Sequence, residues 1–331
     1  MSVWSDPRII KITEKFIPTT DEVYRLQRAV DLDAIRFQNM AKQGHYKKEG
    51  GTRQGIYVCT PNGNLLSSTN SLNPDIVLDV IKDGLEKWKD LSSVQRNIKH
   101  ARPVKASHRW EHSYPLGGLV LRSSKVDLLD DHPNPTKKNK RWNIDYVWFS
   151  NEEARQWIPD SIHFEQVYQL PNFIKNRLLQ FHFVDNVIGQ TLPFTKSQIE
   201  VSDIKTKIID LNDSIVTIEI EGYSEAKARG AWLFGKDWKE WSDTKLDHGI
   251  ETTILGTAEY SLASNSFNKF EMLAIGKRYG RTKFNGRSEN MGGSYVGFLY
   301  SLASNKFEEK IAPAFIEYYD ANWIIKPKKV Y

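Results

Sequence analysis

A chain of 331 residues with 40% apolar and 26% charged side chains has the make-up of a folded protein rather than a disordered one, and its length suits two ordinary domains. The formal net charge of +5, with both signs well mixed, is too small to mark a nucleic-acid footprint, and no apolar run is long enough to cross a membrane. A single cysteine, Cys59, excludes an intramolecular disulfide, a Cys-x-x-Cys redox pair and an all-cysteine zinc site.

From the amino terminus, Ser5 or Asp6 is a capping residue and Pro7 a first-turn residue, opening a helix whose apolar face is Ile9, Ile10, Ile12 and Phe16. The stretch 16–20, Phe-Ile-Pro-Thr-Thr, reads as a short edge strand. Leu32 to Lys42 reads as a helix and Gly44 to Gly51 as a polar loop. Ile56 to Thr60 and Leu65 to Ser68 flank Pro61-Asn62-Gly63-Asn64, and Asn-Gly between β-rich runs predicts a hairpin. Cys59 sits on its first strand, where a thiol is expected to act as a small hydrophobe and not as a nucleophile. Asn73-Pro74 then starts a helix with Ile76, Val77, Val80, Ile81, Leu85 and Trp88 at helical spacing.

This order of helix, strand, helix, hairpin and helix resembles the thioredoxin superfamily after its first strand. More narrowly, Ser2-Val3-Trp4-Ser5 followed by Phe16-Ile17-Pro18 is similar to the branch with a Cys-x-Trp-Cys loop, with serine at both cysteine positions. The resemblance implies a thioredoxin-like domain over 1–92 with no dithiol chemistry, because a hydroxyl does not supply the thiolate that exchange requires. The family's cis-proline position falls at Gln54 or Gly55, so a trans loop is expected. The family's first strand has no counterpart after Met1. As it stands the sequence reads as cytoplasmic; a start upstream of Met1 would make the protein exported. The resemblance extends to bacterial proteins that join such a domain to a β-rich extension, and it implies no activity.

Residues 93–141, with Pro103, Pro115, Pro133, Pro135 and the basic run 137–141, read as a linker carrying one strand, Leu116 to Leu121. A β-rich domain with helices is expected over 142–331. It opens with Trp142 to Phe149, a capping box of Ser150 and Glu153, and a helix from Asn172 to Phe183. Period-two alternation predicts a hairpin of Ile204 to Ile209 with Ile215 to Ile220. Further strands are expected at Thr252 to Leu262, Phe267 to Ile275 and Tyr295 to Ala303. The fold class is therefore α+β. The segment Tyr260-Ser-Leu-Ala-Ser-Asn-Ser-Phe267 recurs as Tyr300-Ser-Leu-Ala-Ser-Asn-Lys-Phe307 and reads as two hairpin corners of one sheet.

Four groups bear on chemistry. His108, Glu111 and His112 place two imidazoles four apart, a spacing that on a helix suits a metal, although the order is not His-Glu-x-x-His. His182 and Asp185 are three apart, so a helix would let the carboxylate orient the ring for acid-base work; the competing reading is a helix end with a satisfied histidine. Lys277, Arg278, Arg281, Lys283 and Arg287, interleaved with Tyr279 and Phe284, form either an anion-binding loop or a solvated one. Trp232, Trp238 and Trp241 with Tyr223 would line an aromatic pocket or cover the sheet. Together with the resemblance, these favour a non-catalytic binding or scaffold protein built on a redox-inactive thioredoxin-like domain, with no cofactor, whose partner is a protein or small molecule and not a nucleic acid. The alternative is a metal-dependent or His/Asp hydrolase.

Overall fold

The amino-terminal helix begins where its capping chemistry puts it. The Asp6 side chain accepts the Arg8 backbone N–H at 2.9 Å, and α1 spans Pro7–Thr13. The structure is a computed structural model that describes residues 3–20, 23–46, 52–97, 110–128, 142–189, 191–230, 233–234, 239–240, 246–282, 285, 287, 293–306 and 309–324. The chain divides into two compact units, one built around Met1–Arg109 and the other around Trp110–Lys326.

In the first unit, α1 is followed by α2 (Val23–Leu26), α3 (Leu32–Ala41), β1 (Ile56–Cys59), β2 (Leu65–Thr69), α4 (Pro74–Asp90) and α5 (Ser93–Arg96). The hairpin closes as its sequence requires. Gly63 takes φ of 85°, and the Thr60 N–H donates to the Asn64 carbonyl at 2.9 Å. Asn73 caps α4 through the Asp75 N–H at 2.9 Å, with Pro74 in the first turn. α4 lays Val77, Leu78, Ile81 and Gly84 against β1 and β2, joined there by Val3, Ile9 and Val58. Gly84 is the point of closest approach: a Cβ there would stand 2.6 Å from Val58 Cγ1 and from Ser67 Oγ. The expected strand at 16–20 is not formed; these residues carry no regular structure after α1, and Pro18 cannot donate to a ladder. No peptide bond among the described residues is cis.

The second unit is one eight-stranded antiparallel sheet. Its strands are β3 (Leu119–Leu128), β4 (Trp142–Phe149), β5 (Val167–Gln169), β6 (Ile199–Leu211), β7 (Ile215–Gly230), β10 (Leu246–Ser261), β11 (Ser266–Gly280) and β12 (Ser294–Leu302), with a small hairpin of β8 (Leu233–Phe234) and β9 (Lys239–Glu240) between β7 and β10. The spatial order is β4-β3-β12-β11-β10-β7-β6-β5, a meander except where β12 returns to pair with β3. The stretch read as a linker thus supplies an internal strand. Leu119, Leu121, Ser123 and Lys125 face the core, and the β unit begins at Trp110, not at 142. The basic run 137–141 lies outside the described residues.

One face of the sheet is dry. Ile218, Ile220, Ile254, Phe270, Met272, Phe298 and Tyr300 pack against Trp157, Ile174, Leu178 and Phe183, which come from α6 (Asn151–Arg155), α7 (Asn172–Arg177) and the segments after them. The Ser150–Glu153 capping box starts α6 as expected. The helix expected to run to Phe183 is α-helical only to Arg177. It then widens into one π turn, Leu178–His182, closed by the Phe183 N–H on the Leu178 carbonyl at 2.9 Å. The repeated octapeptide serves two different purposes. Its first copy turns the β10–β11 corner with Asn265 at φ of 50°; its second leaves the sheet after β12, where the Ala303 N–H bonds the Val120 carbonyl at 2.9 Å. The chain then folds Ile316, Tyr319 and Ile324 over Val120, Tyr146 and Trp148 in a second small core.

Candidate functional site

Strand parity brings the chemistry together. In β3 the core-facing positions run Leu119, Leu121, Ser123, Lys125, Asp127, and in β4 they run Asn143, Asp145, Val147, so each strand turns polar on its inner side toward one end. β11 points Arg278 to the same side, and the π turn delivers His182 and, just beyond it, Asp185 and Asn186. The result is a buried polar cluster in which Lys125, His182 and Arg278 are fully enclosed.

His182 and Asp185 do not pair with each other. The helix ends between them, with Phe183 at φ −89° and ψ 58°, and the two side chains separate. His182 Nε2 lies 2.6 Å from the Tyr319 hydroxyl, and its Nδ1 lies 3.3 Å from Asp145 Oδ2, off the angle of a hydrogen bond. Lys125 Nζ donates to Asn186 Oδ1 at 3.1 Å and stands 3.9 Å from Asp145 Oδ2. Asp145 Oδ1 accepts the Tyr146 and Ala314 N–H groups at 2.8 and 3.0 Å.

Asp185 instead holds two arginines. Arg278 Nη1 approaches its Oδ2 at 3.3 Å, and Arg287 Nε donates to the same oxygen at 2.9 Å while Arg287 Nη2 bonds Oδ1. Arg287 also makes a two-pronged contact with Asp127 at 2.7 and 2.8 Å. Lys125, Arg278 and Arg287 are thereby matched by Asp127, Asp145 and Asp185.

Burial sets the protonation states. It pushes the His182 imidazole below its ordinary value, with Lys125 and Arg177 acting in the same direction and Asp145 opposing them. Burial likewise lowers Lys125 and Arg278. For Asp145 burial acts upward, but the imidazole and Lys125 outweigh it and hold the carboxyl at about 2. The Tyr300 and Tyr319 hydroxyls are pushed well up by burial. A second buried pair stands nearby: Arg177 is clamped by Glu153 at 2.5 and 2.7 Å and sits 4.8 and 4.7 Å from the Phe149 and Tyr319 ring centres.

The remaining expected residues fall elsewhere. Of the expected cations that are described, Lys277 faces the opposite side of the sheet from Arg278, and Arg278 and Arg287 are engaged by carboxylates. Arg281 follows β11, and Lys283 lies outside the described residues. His108 and the side chains of Glu111 and His112 also lie outside them, and among the described residues no group of three or more acidic, histidine or cysteine side chains is placed to hold a metal. Trp232, Trp238 and Trp241 are outside them too, while Tyr223 is exposed on the outer sheet face. Cys59 is half-buried, and burial raises its thiol to about 11. Reading the sequence missed Lys125, Asp127, Asp145 and Tyr319. The first three had a signal, since charged residues occupy the core-facing phase of strands that are apolar at their other end; Tyr319 had none.

The outer face of the sheet carries a second feature. Leu255 and Leu273, each 60% exposed, are direct cross-strand neighbours, and Leu273 is in turn opposite Leu299. The adjacent row runs Tyr223, Thr253, Ile275, Gly297, Val126, Trp142, with Ile275 52% and Trp142 54% exposed. Tyr295 and Leu128 extend it by one more row. Compared with known protein families, curated proteins and solved structures, the chain gives no significant match. Among the described residues no helix is long and apolar enough to cross a membrane.

Proposed function

We propose that this protein is a non-catalytic binding protein and that the outer face of its eight-stranded sheet is the docking surface. The observation that carries the reading is the contiguous exposed apolar field of Leu255, Leu273, Ile275, Leu299, Val126 and Trp142. Isolated exposed apolar residues are ordinary, but a field several strands wide is what an interaction surface presents. The inner polar cluster supports the same reading. General acid-base work needs a titrating group within reach of a substrate, whereas His182, Lys125 and Arg278 are fully enclosed and the two cations are matched by carboxylates. Its role is to join β3, β4, β11 and the π turn. In the amino-terminal unit, Cys59 with a thiol at about 11 is not an activated nucleophile.

The test is urea unfolding of the Leu273→Glu/Ile275→Glu protein at submicromolar concentration. A docking surface is dispensable for folding, so stability stays within about 0.5 kcal/mol of the parent. A loss of several kcal/mol would identify the face as covered core and sink the reading.

A further inference from the structure

We infer that the occupant of the outer sheet face is a second copy of this chain, packed sheet on sheet about a two-fold axis that runs across the strands between the Ile275 and Leu273 rows. The inference rests on the docking-surface reading above and adds the identity of the partner.

The field has the size a dimer needs. Ile316, Tyr319 and Ile324 cover most of β4 on this face, so the free field is five strands, β7 through β3, spaced about 4.8 Å apart, and four rows, about 6.8 Å apart; it covers on the order of 650 Å², at the lower end of what each partner gives to a standard interface. It is also self-complementary, as an isologous contact must be. Rotation about that axis lays each strand over its own counterpart and exchanges the rows. Ile275 then faces Leu273 of the second copy, and Thr253 faces Leu255. Leu299 faces Gly297, which raises no side chain of its own and is covered by Leu128, 3.1 Å from where a Cβ would stand, so leucine meets leucine there. One row further out, Lys277 on β11 faces Glu271 on the same strand of the other copy, and the contact occurs twice. Tyr295 meets Ser301 in the same way.

Among the described residues neither Lys277 nor Glu271 has an ion-pair partner within 4.0 Å in one copy, whereas Glu221, Glu225 and Glu259 at the edge of the field are already paired. Glu225 is bound by Lys227, and Glu221 lies 3.4 Å from Lys205. Thus the rotation gives Lys277 and Glu271 the ion-pair partner that each lacks within one copy, on a face where, among the described residues, Glu251 and Glu219 are also unpaired.

The experiment is sedimentation velocity of the full chain over a range of concentrations in low salt, with hydroxyl-radical footprinting of the same samples. The expected result is a dimer whose dissociation constant rises at least about tenfold in Lys277→Glu and in Glu271→Lys, because each change sets like charges face to face. Combining both changes in one chain restores affinity to within about threefold of the parent, as reversing a contacting pair should. A dimer indifferent to both reversals overturns the proposed register. A chain that stays monomeric with Leu273 and Ile275 reactive toward radicals overturns the second-copy inference and leaves the docking surface standing. A monomer in which those side chains are protected means another part of the chain covers the face, and overturns both.

Discussion

Acid should unfold the β unit earlier than its carboxylates alone would, and His182 is the reason. The ring is enclosed between the Tyr319 hydroxyl, 2.6 Å from Nε2, and Asp145, 3.3 Å from Nδ1, with Lys125 and Arg177 as nearby positive charges. Burial depresses its folded-state pKa below the unfolded value of about 6.5. The unfolded chain therefore binds the extra proton, and stability is present above pH 6.5 and lost as the pH falls below it. The loss on going to pH 5 has a ceiling of about 2 kcal/mol, set by the unfolded value alone at about 1.4 kcal/mol per pH unit. Asp145 is also depressed, to about 2, but its loss begins only near its unfolded value of 3.8, so the window from pH 7 to 5 isolates the histidine. The assay is urea unfolding at pH 7, 6 and 5 of the parent and of His182→Gln, which keeps a nitrogen or oxygen near Tyr319 without a titrating ring. Whatever the substitution costs at pH 7, the parent should lose more stability than the variant on going to pH 5, by up to about 2 kcal/mol. Parallel profiles would refute the reasoning. A parent that gains stability on acidification would show that Asp145 holds an imidazolium.

Three further outcomes are expected. Arg287→Ala leaves Asp127 without its arginine and Asp185 with Arg278 alone, so the β unit should lose about 3–5 kcal/mol in urea titrations; a change under 1 kcal/mol would mean that water already solvates the pair. Gly84→Val drives a branched side chain into Val58 and Ser67 and should destabilise the amino-terminal unit by about 1–3 kcal/mol or more, seen as earlier exchange of the β1, β2 and α4 amides with those of the β unit unchanged; equal protection in both proteins would contradict the packing. Cys59, with a thiol at about 11, should react with a thiol reagent at pH 8 far more slowly in native buffer than in urea; equal rates would place it in solvent.

Local chemistry made much of the framework readable. The Asp6–Pro7 and Asn73–Pro74 helix starts, the Asn62-Gly63 hairpin and the Ser150–Glu153 capping box are settled by residues within a few positions of each other, because caps and turns close their own hydrogen bonds. Alternation in β6, β7, β10, β11 and β12 likewise shows in the chain, since one face must be apolar to be buried. The strand expected at 16–20 is not formed, because a strand forms only when a neighbour accepts its backbone groups, which no local motif guarantees. The same limit hid the place of β3, whose proline-flanked surroundings look like a linker until β12 returns to pair with it. The polar site shows this most sharply. His182, Asp185, Arg278 and Arg287 stood out by residue type, yet spacing paired His182 with Asp185 three positions on. The fold instead gives His182 to Asp145 and Tyr319, 37 and 137 positions away, and gives Asp185 to two arginines. Sequence alone determined which residues carry charge into the core-facing phase of the strands. Which charges meet was decided by strand pairing and by the single π turn that ends α7, because partners for buried charges are chosen by three-dimensional proximity, where desolvation penalises any that go unmatched.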